Sequence, residues 1–184
     1  QGEIDYFLMI MSDISEQKEA ENELRRLANF DGLTDLPNRT LLLDRIKHGI
    51  DHAARHRSKM GVFFIDLDRF KEIHDTLGHQ VGDQLFQLVG PRLEEELKDI
   101  PAVVARLGGD EFAIFLQRIR NPQQAIIIAH RVLDALRQEF VLDGFSTEIS
   151  ASIGVSAYRD GITAQDVLHP HTACCSHPVL PITT

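Results

Sequence analysis

Apolar and polar positions along the chain follow two periods, and each period predicts a different kind of element. The stretch GVFFIDLD, 61–68, is an apolar run of strand length. Two further apolar runs flank two glycines and two acids, which predicts a β-hairpin over 103–116. A last alternating stretch, STEISASIGVSAY at 146–158, predicts another strand. The chain therefore contains several predicted strands, two of which are joined by a tight turn.

Helical periodicity fills the segments between these strands. Residues 41–55 carry apolar side chains at helical spacing, and residues 70–98 do the same with a break near Gly78. Another helix is predicted from Pro122 to Phe140, because proline is favoured in a first helical turn. The positions predicted to face inward are Leu42, Ile46, Ile50, Ala53, Val81, Leu85, Leu88 and Leu93.

The order of these elements limits the fold class. Helices alternate with strands, but a hairpin requires an antiparallel strand pair, which excludes a purely parallel doubly wound sheet. The prediction is an α/β (α+β) domain. A chain of 184 residues with 43% hydrophobic content is long enough for one well-buried domain plus appendages.

The N-terminal part of the chain changes composition abruptly. The segment QGEIDYFLMIMSD, 1–13, contains one apolar stretch suited to a strand, whereas 15–30 is rich in strong helix formers. Asp13 or Ser15 is available as the N-cap. The apolar side of this predicted helix consists of Ala20, Leu24, Leu27 and Phe30. Two interpretations remain open, a helical connector from an upstream domain or an ordinary surface helix.

Charge and cysteine usage narrow the function classes. A formal net charge of −9 argues against broad nucleic-acid binding, whereas a small phosphorylated ligand would need local cations or a bound metal. No apolar run approaches the roughly 20 residues of a membrane span, so we expect no direct membrane contact in this fragment. Cys174 and Cys175 are neighbours, which favours a reducing, cytoplasmic setting, although a longer protein could still be membrane-anchored.

Acidic side chains gather at two predicted strand ends. Strand alternation places Asp66 and Asp68 on one face, where carboxylates are costly without a partner. The hairpin tip can deliver Asp110 or Glu111 to the same point. Hard Mg²⁺ prefers a few carboxylate oxygens together with phosphate oxygens and water. The two acidic strand ends therefore predict one metal site.

The turn and the helix after the strand add to this prediction. Gly108 and Gly109 leave the backbone open for close approach of a ligand. Further polar residues follow at helical spacings, and Lys71 could neutralise phosphate charge while Asp83 could accept a hydrogen bond from a base. These residues are Lys71, His74, Asp75, His79 and Asp83. The alternative is that the hairpin acids are solvated turn residues.

Three stretches carry a resemblance to a known family. RLGGDEF at 106–112, FFIDLDRFKEIHDTLGHQVGDQLF at 63–86 and DGLTDLPNR at 31–39 resemble the GGDEF domain of diguanylate cyclases. The resemblance covers about 29–168 in the family's order. It implies a nucleotide-cyclase-like fold, with a central, mostly antiparallel five-stranded sheet flanked by helices and preceded by a helical linker. It also implies condensation of two GTP into cyclic di-GMP and two pyrophosphates by a homodimer.

The resemblance assigns roles by position. Asp66, Asp110 and the backbone carbonyl of Leu67 would bind Mg²⁺ or Mn²⁺. Asp110 or Glu111 would help to deprotonate the ribose 3′-hydroxyl, and Lys71 would stabilise the phosphates. The positions expected to contact the GTP substrate are His74, His79, Asp83, Arg106, Gly108 and Gly109.

The resemblance also divides the chain. Residues 1–14 resemble the end of an upstream PAS-like sensor domain, and 15–30 its signalling helix. By this resemblance, residues 31–168 correspond to the GGDEF domain. The segment 169–184 is an atypical tail, predicted to be irregular. The expected partners are therefore GTP, a second copy of the chain and an upstream sensor.

Three departures from the family pattern put full activity in question. His74 stands where the family usually has an asparagine that reads guanine. DIPA at 99–102 replaces the family's inhibitory RxxD motif, so we expect no product binding there. HPHTACCSHPVLPITT at 169–184 replaces a helix that carries a lysine and an arginine, leaving Lys71 and Arg106 to offset triphosphate charge.

That tail also holds the group His169, His171, Cys174, Cys175 and His177. Its spacing matches no standard zinc finger, and the nearby prolines favour an irregular segment over a zinc site. Three functions remain: a cyclase, a non-catalytic module that binds GTP and regulates a neighbouring domain, and a dimerisation unit with a helical stalk.

Overall fold

The computed structural model describes residues 13–56, 58–68, 70–142, 144–157 and 180–182. Five helices and seven strands lie in these ranges. In chain order they are α1 (Ser15–Asn29), α2 (Arg39–His56), β1 (Lys59–Asp68), α3 (Phe70–Leu77), α4 (His79–Glu96), β2 (Ala102–Gly108), β3 (Glu111–Ile119), α5 (Pro122–Arg137), β4 (Phe140–Leu142), β5 (Phe145–Thr147), β6 (Ser150–Ala157) and β7 (Leu180–Ile182).

The strands form one large sheet and one small hairpin. The five-stranded sheet has the order β2-β3-β1-β6-β7, with every neighbouring pair antiparallel, and β4 pairs with β5 separately. The predicted fold class, an antiparallel five-stranded sheet flanked by helices, is therefore confirmed. Because β1 is central, its C-terminal end lies between β3 and β6.

Both faces of β1 are buried, which explains its continuous apolar run. Phe63, Ile65 and Leu67 belong to one core cluster with residues of α4 and α5. Met60 and Val62 belong to a second cluster with residues of α2. Burying a large apolar side chain contributes about 1.5–3 kcal/mol, so these two clusters hold the sheet in place between its helices.

The helix α1 lies outside both clusters. α1 has no buried residue, and Leu24 and Leu27 on its apolar side are 68% and 57% exposed. Its N-cap is Ile14, which makes no side-chain capping bond, while the Asp13 carboxylate accepts from the Ser15 N–H at 2.9 Å. Leu24 and Leu27 therefore remain largely exposed to solvent within the described part of the chain.

Two helix predictions need correction. α5 ends at Arg137, and Phe140 lies in β4 instead of in the helix. The Arg92 guanidinium lies 3.4 Å from the centre of the buried Phe140 ring and donates to the Glu139 carbonyl at 2.9 Å. Leu88, predicted to face inward, is 40% exposed. The break near Gly78 is confirmed, because this residue has φ +88° between α3 and α4.

The two ends of the chain lie mostly outside the described residues. Residues 1–12 of the predicted sensor segment are among them, as are His169, His171, Cys174, Cys175 and His177. Within the predicted irregular tail, residues 180–182 form β7, which pairs with β6 at the sheet edge. No helix in the described ranges is long and apolar enough to cross a membrane.

Candidate active site

The end of β1 and the tip of the β2–β3 hairpin meet as predicted. Asp66 lies directly opposite Glu111 in the antiparallel register, so their side chains point to the same face of the sheet. The Leu67 N–H donates to the Asp110 backbone carbonyl at 3.3 Å. This pairing brings together four residues that the sequence predicts from two separate stretches, namely Asp66, Leu67, Asp110 and Glu111.

The turn itself is open. Gly108 and Gly109 have φ values of +140° and +54°, which non-glycine residues rarely adopt. A Cβ atom added at either position would meet no atom within 4 Å. The glycines are therefore required by the backbone conformation, and they leave space beside the acids.

The electrostatics of the cluster are dominated by carboxylates that repel one another. Burial, together with the negative charges of Asp110, Glu111 and Asp68, raises the pKa of Asp66. Asp68 has a neutral partner, since the Ser152 hydroxyl donates to its carboxylate at 3.0 Å. The ionised Asp66 carboxylate therefore destabilises the folded protein, and a bound cation would offset this destabilisation.

This donor set fits a hard divalent cation. No group of three or more His, Cys, Asp or Glu side chains in the described ranges is placed to hold a metal ion. Mg²⁺ in proteins commonly uses one or two carboxylates and takes its other ligands from phosphates and water. Asp66 and Asp110 could supply the carboxylates and Leu67 its backbone carbonyl, so the set suits a cation that arrives with a phosphate ligand.

Arg106 does not lie open to a ligand. Its side chain is 9% exposed, and its Nη1 donates to the Asp31 carboxylate at 2.9 Å. Its Nε and Nη2 donate to the Gly109 carbonyl at 3.1 and 2.8 Å. The guanidinium also stacks over Phe86, with 4.1 Å from its carbon to the ring centre. That Arg106 offsets triphosphate charge stays a prediction, and all three nitrogens of this guanidinium already donate to Asp31 or Gly109.

These contacts of Arg106 position the hairpin. Its backbone N–H donates to the Pro37 carbonyl at 3.0 Å, which fixes β2 near the hairpin tip against the loop before α2. Sequence reasoning missed Asp31 and Phe86 as parts of this arrangement. Asp31 lies in the stretch DGLTDLPNR, but nothing in that stretch indicates which distant cation it binds.

The predicted base-contacting residues lie on α3 and α4. His74 is half-buried, His79 and Asp83 are exposed, and the His79 Nδ1 and His74 Nε2 atoms are 2.5 Å apart. A Cβ atom at Gly82 would lie 2.8 Å from the His74 ring, so glycine at this position makes room for that ring. One nitrogen of His74 is thus already used by His79.

An aromatic series connects these helices to the hairpin. Phe70, at the start of α3, stacks on Phe86 of α4 with ring centres 4.0 Å apart, and Phe86 contacts Phe112 and Arg106. The base-contacting candidates and the acidic cluster are therefore held by a shared set of rings. Lys71 is the second residue of α3, and the structure describes its backbone only.

The segment 99–102, where the family's inhibitory motif is missing, has internal partners. The Asp99 carboxylate accepts from Arg131 at 3.3 Å, and the Pro101 carbonyl accepts from the Gln117 N–H at 3.0 Å. That this segment does not bind product stays a prediction.

The ion pair between Arg106 and Asp31 predicts a specific acid sensitivity. Although burial opposes ionisation, hydrogen bonds from Thr34 and Arg106 lower the pKa of Asp31. A lowered folded-state pKa contributes stability above the unfolded value of about 3.9, and this stability is lost as the pH falls further. We expect the stability advantage of the wild type over Asp31→Asn to shrink between about pH 5 and pH 3. Urea unfolding across that range measures it, and a constant difference would contradict the assignment.

Comparison with known proteins decides the family. A family model described as "Diguanylate cyclase, GGDEF domain" matches residues 28–174. The chain belongs to the GGDEF family. A solved structure of the GGDEF domain of TpbB from Pseudomonas aeruginosa is 37% identical to it, with a TM-score of 0.71, over 76% of this chain and 82% of that one.

Curated relatives of this GGDEF chain carry different activities in their names. Diguanylate cyclase TpbB of Pseudomonas aeruginosa is 38% identical over 138 residues, which are 74% of this chain and 32% of the relative. Cyclic di-GMP phosphodiesterase PdeR of Escherichia coli is 38% identical over 158 residues, 84% of this chain and 23% of the relative. The GGDEF chain thus spans only a third or less of the length of these relatives.

Proposed function

We propose that this chain is the cyclase domain of a diguanylate cyclase, which condenses two GTP into cyclic di-GMP and two pyrophosphates. The observation that supports it best is the convergence of Asp66, Leu67, Asp110 and Glu111 at one point of the sheet. Clustered carboxylates next to an open glycine turn suit a triphosphate that brings a cation with it.

Each residue of the site is assigned a role in this reaction. Asp66, Asp110 and the Leu67 carbonyl would hold Mg²⁺ or Mn²⁺, which would supply positive charge against the triphosphate oxygens. Glu111 or Asp110 accepts the proton of the attacking 3′-hydroxyl. Lys71 offsets phosphate charge. The turn at 108–109 lets the phosphates approach the backbone, since no side chain stands there.

Two copies of the chain are needed for this reaction, because each domain holds one GTP and the product joins two. The exposed Leu24 and Leu27 of α1 suit a helix that pairs with its copy and carries a signal from an upstream sensor. A cytoplasmic location follows from the substrate. Sedimentation equilibrium in the presence of GTP measures the dimer, and a strictly monomeric active enzyme would contradict it.

A second function is favoured by two specific contacts. Arg106 is occupied by Asp31 and Gly109, and His74 is hydrogen-bonded to His79, so fewer groups remain to hold a triphosphate and read a base. The alternative is a module that binds GTP, turns it over weakly or not at all, and regulates a neighbouring domain.

Product analysis separates the two functions. The protein is incubated with GTP and Mg²⁺, and cyclic di-GMP is sought by chromatography, with Asp110→Ala as the control. The proposal expects product from the wild type and none from the variant. Measurable GTP binding without any product would favour the regulatory module.

Base selectivity gives a further prediction. Asparagine at position 74 would offer a donor and an acceptor to one base edge, whereas one nitrogen of His74 is engaged by His79. A good bidentate contact discriminates between bases by about 1–3 kcal/mol. We therefore expect His74→Asn to raise the preference for GTP over ATP roughly tenfold or more, measured by calorimetry. An unchanged GTP to ATP ratio would show that position 74 does not read the base.

A further inference from the structure

The outer side of α2 carries three exposed histidines one helical turn apart, His48, His52 and His56, here called the histidine face. Side chains four positions apart on a helix lie one above the other. The ring centres of His52 and His56 are 4.3 Å apart. These histidines take no part in the core, because the buried residues of α2 are Leu42, Ile46 and Ala53.

The tautomer of one of these rings is set by its neighbours. The Nδ1 atom of His48 lies 2.8 Å from the Asp44 backbone carbonyl and 3.4 Å from the Asp44 carboxylate. A carbonyl only accepts, so this nitrogen carries the hydrogen and the lone pair remains on Nε2. Metal-binding histidines commonly have this arrangement, in which the other ring nitrogen donates to a carbonyl or carboxylate.

We propose that the histidine face binds one divalent transition-metal ion through two adjacent imidazoles. His52 belongs to both neighbouring pairs, His48–His52 and His52–His56, so a single ion occupies the face. Imidazole suits zinc, copper and nickel ions, whereas Mg²⁺ prefers oxygen ligands. Two imidazoles at this helical spacing form a recognised zinc-binding pair.

The surroundings of the face specify the kind of site. No third His, Cys, Asp or Glu within the described ranges is placed to complete a set of three ligands. Water therefore fills the remaining positions, and the ion exchanges. α2 ends at His56, close in the chain to Lys59 at the start of β1, whereas Asp66 lies near the other end of that strand. The ion would therefore bind at the last turns of α2, away from the acidic cluster.

Nickel binding to the tag-free full chain tests this proposal, because nickel favours imidazole over thiolate. We expect calorimetry to give one Ni²⁺ per chain for the wild type. His52→Gln removes one arm of either chelate and should weaken binding about 100-fold. The matched control is His130→Gln, an exposed histidine of α5, which should bind as the wild type does. Equal affinity in His52→Gln and the wild type, or no binding by the wild type, would overturn the proposal.

Other histidines and thiols could account for nickel binding, and variants distinguish them. Loss of binding in Cys174→Ser/Cys175→Ser would place the ion in the tail, and loss in His79→Gln would place it at the His74–His79 pair. Either result overturns the proposal. Thermal unfolding gives a second readout, since an ion that binds only the folded helix raises the midpoint. Ni²⁺ should raise the midpoint of the wild type and of His130→Gln, but not that of His52→Gln.

Discussion

Replacement of Arg106 by alanine is expected to lower the free energy of unfolding by about 3 kcal/mol, because removing one partner of a buried pair leaves the other without compensation. Asp31 would lose its cation, and the Gly109 carbonyl would lose two donors. The stacking over Phe86 would also be lost. Urea unfolding followed by circular dichroism measures the change.

The matched control for Arg106 is another arginine with two acidic partners. Arg26 pairs with Glu23 and Asp35 at 3.0 Å each, but its side chain is 45% exposed. Its partners are also largely exposed, so solvent screens these pairs and Arg26→Ala should cost far less stability than Arg106→Ala. Arg106→Lys should restore little stability, because an ammonium cannot reproduce the planar fork. Equal losses in Arg106→Ala and Arg26→Ala would contradict the positioning role of Arg106.

The second large effect concerns turnover. Asp110→Ala is expected to lower the rate of cyclic di-GMP formation about 10³-fold, because a bound metal contributes several kcal/mol to charge stabilisation and each 1.36 kcal/mol is a factor of ten. Asp110 lies in the turn and its backbone carbonyl, which accepts from Leu67, is kept in the variant. The fold should therefore be retained, which circular dichroism verifies.

A distant acid provides the control for Asp110. Asp51 is an exposed carboxylate on α2, so Asp51→Asn should leave the rate within about twofold of wild type, in keeping with the small effects of surface substitutions. If Asp110→Ala kept most of the wild-type rate, the hairpin acid would be a solvated turn residue. That outcome would support the alternative interpretation of the hairpin sequence.

The sequence was sufficient for those parts of the fold that depend on local period. β1 is a continuous apolar run because both of its faces are buried, and its antiparallel pairing with β3 brings Asp66 opposite Glu111. The sequence alone therefore predicts that the two acidic strand ends join in one site. The turn glycines were equally predictable from the sequence, because glycine readily adopts positive φ values. Both glycines have such values, which exclude most other residues.

Contacts between residues that are far apart in the sequence determine those features that local patterns do not predict. Arg106 is close to the acids in the sequence, which predicts a cation that binds phosphate. Its ion-pair partner, Asp31, is 75 positions away and is not indicated by any local pattern. Phe140 continues the helical spacing of α5, yet its burial beneath Arg92 places it in β4. In both cases the deciding group lies on another element, so no window of the sequence contains it.

The central claim is that the end of β1 and the hairpin tip form a cation site, and Asp66→Asn tests it most directly. Burial, together with neighbouring carboxylates, raises the pKa of Asp66, so the neutral amide should make the metal-free protein more stable. Only the wild type should then gain stability as Mg²⁺ is added, since binding to the folded state raises the unfolding midpoint. We predict that the unfolding midpoints of the two proteins converge or cross as Mg²⁺ increases. Equal Mg²⁺-dependent shifts in both proteins would contradict the account.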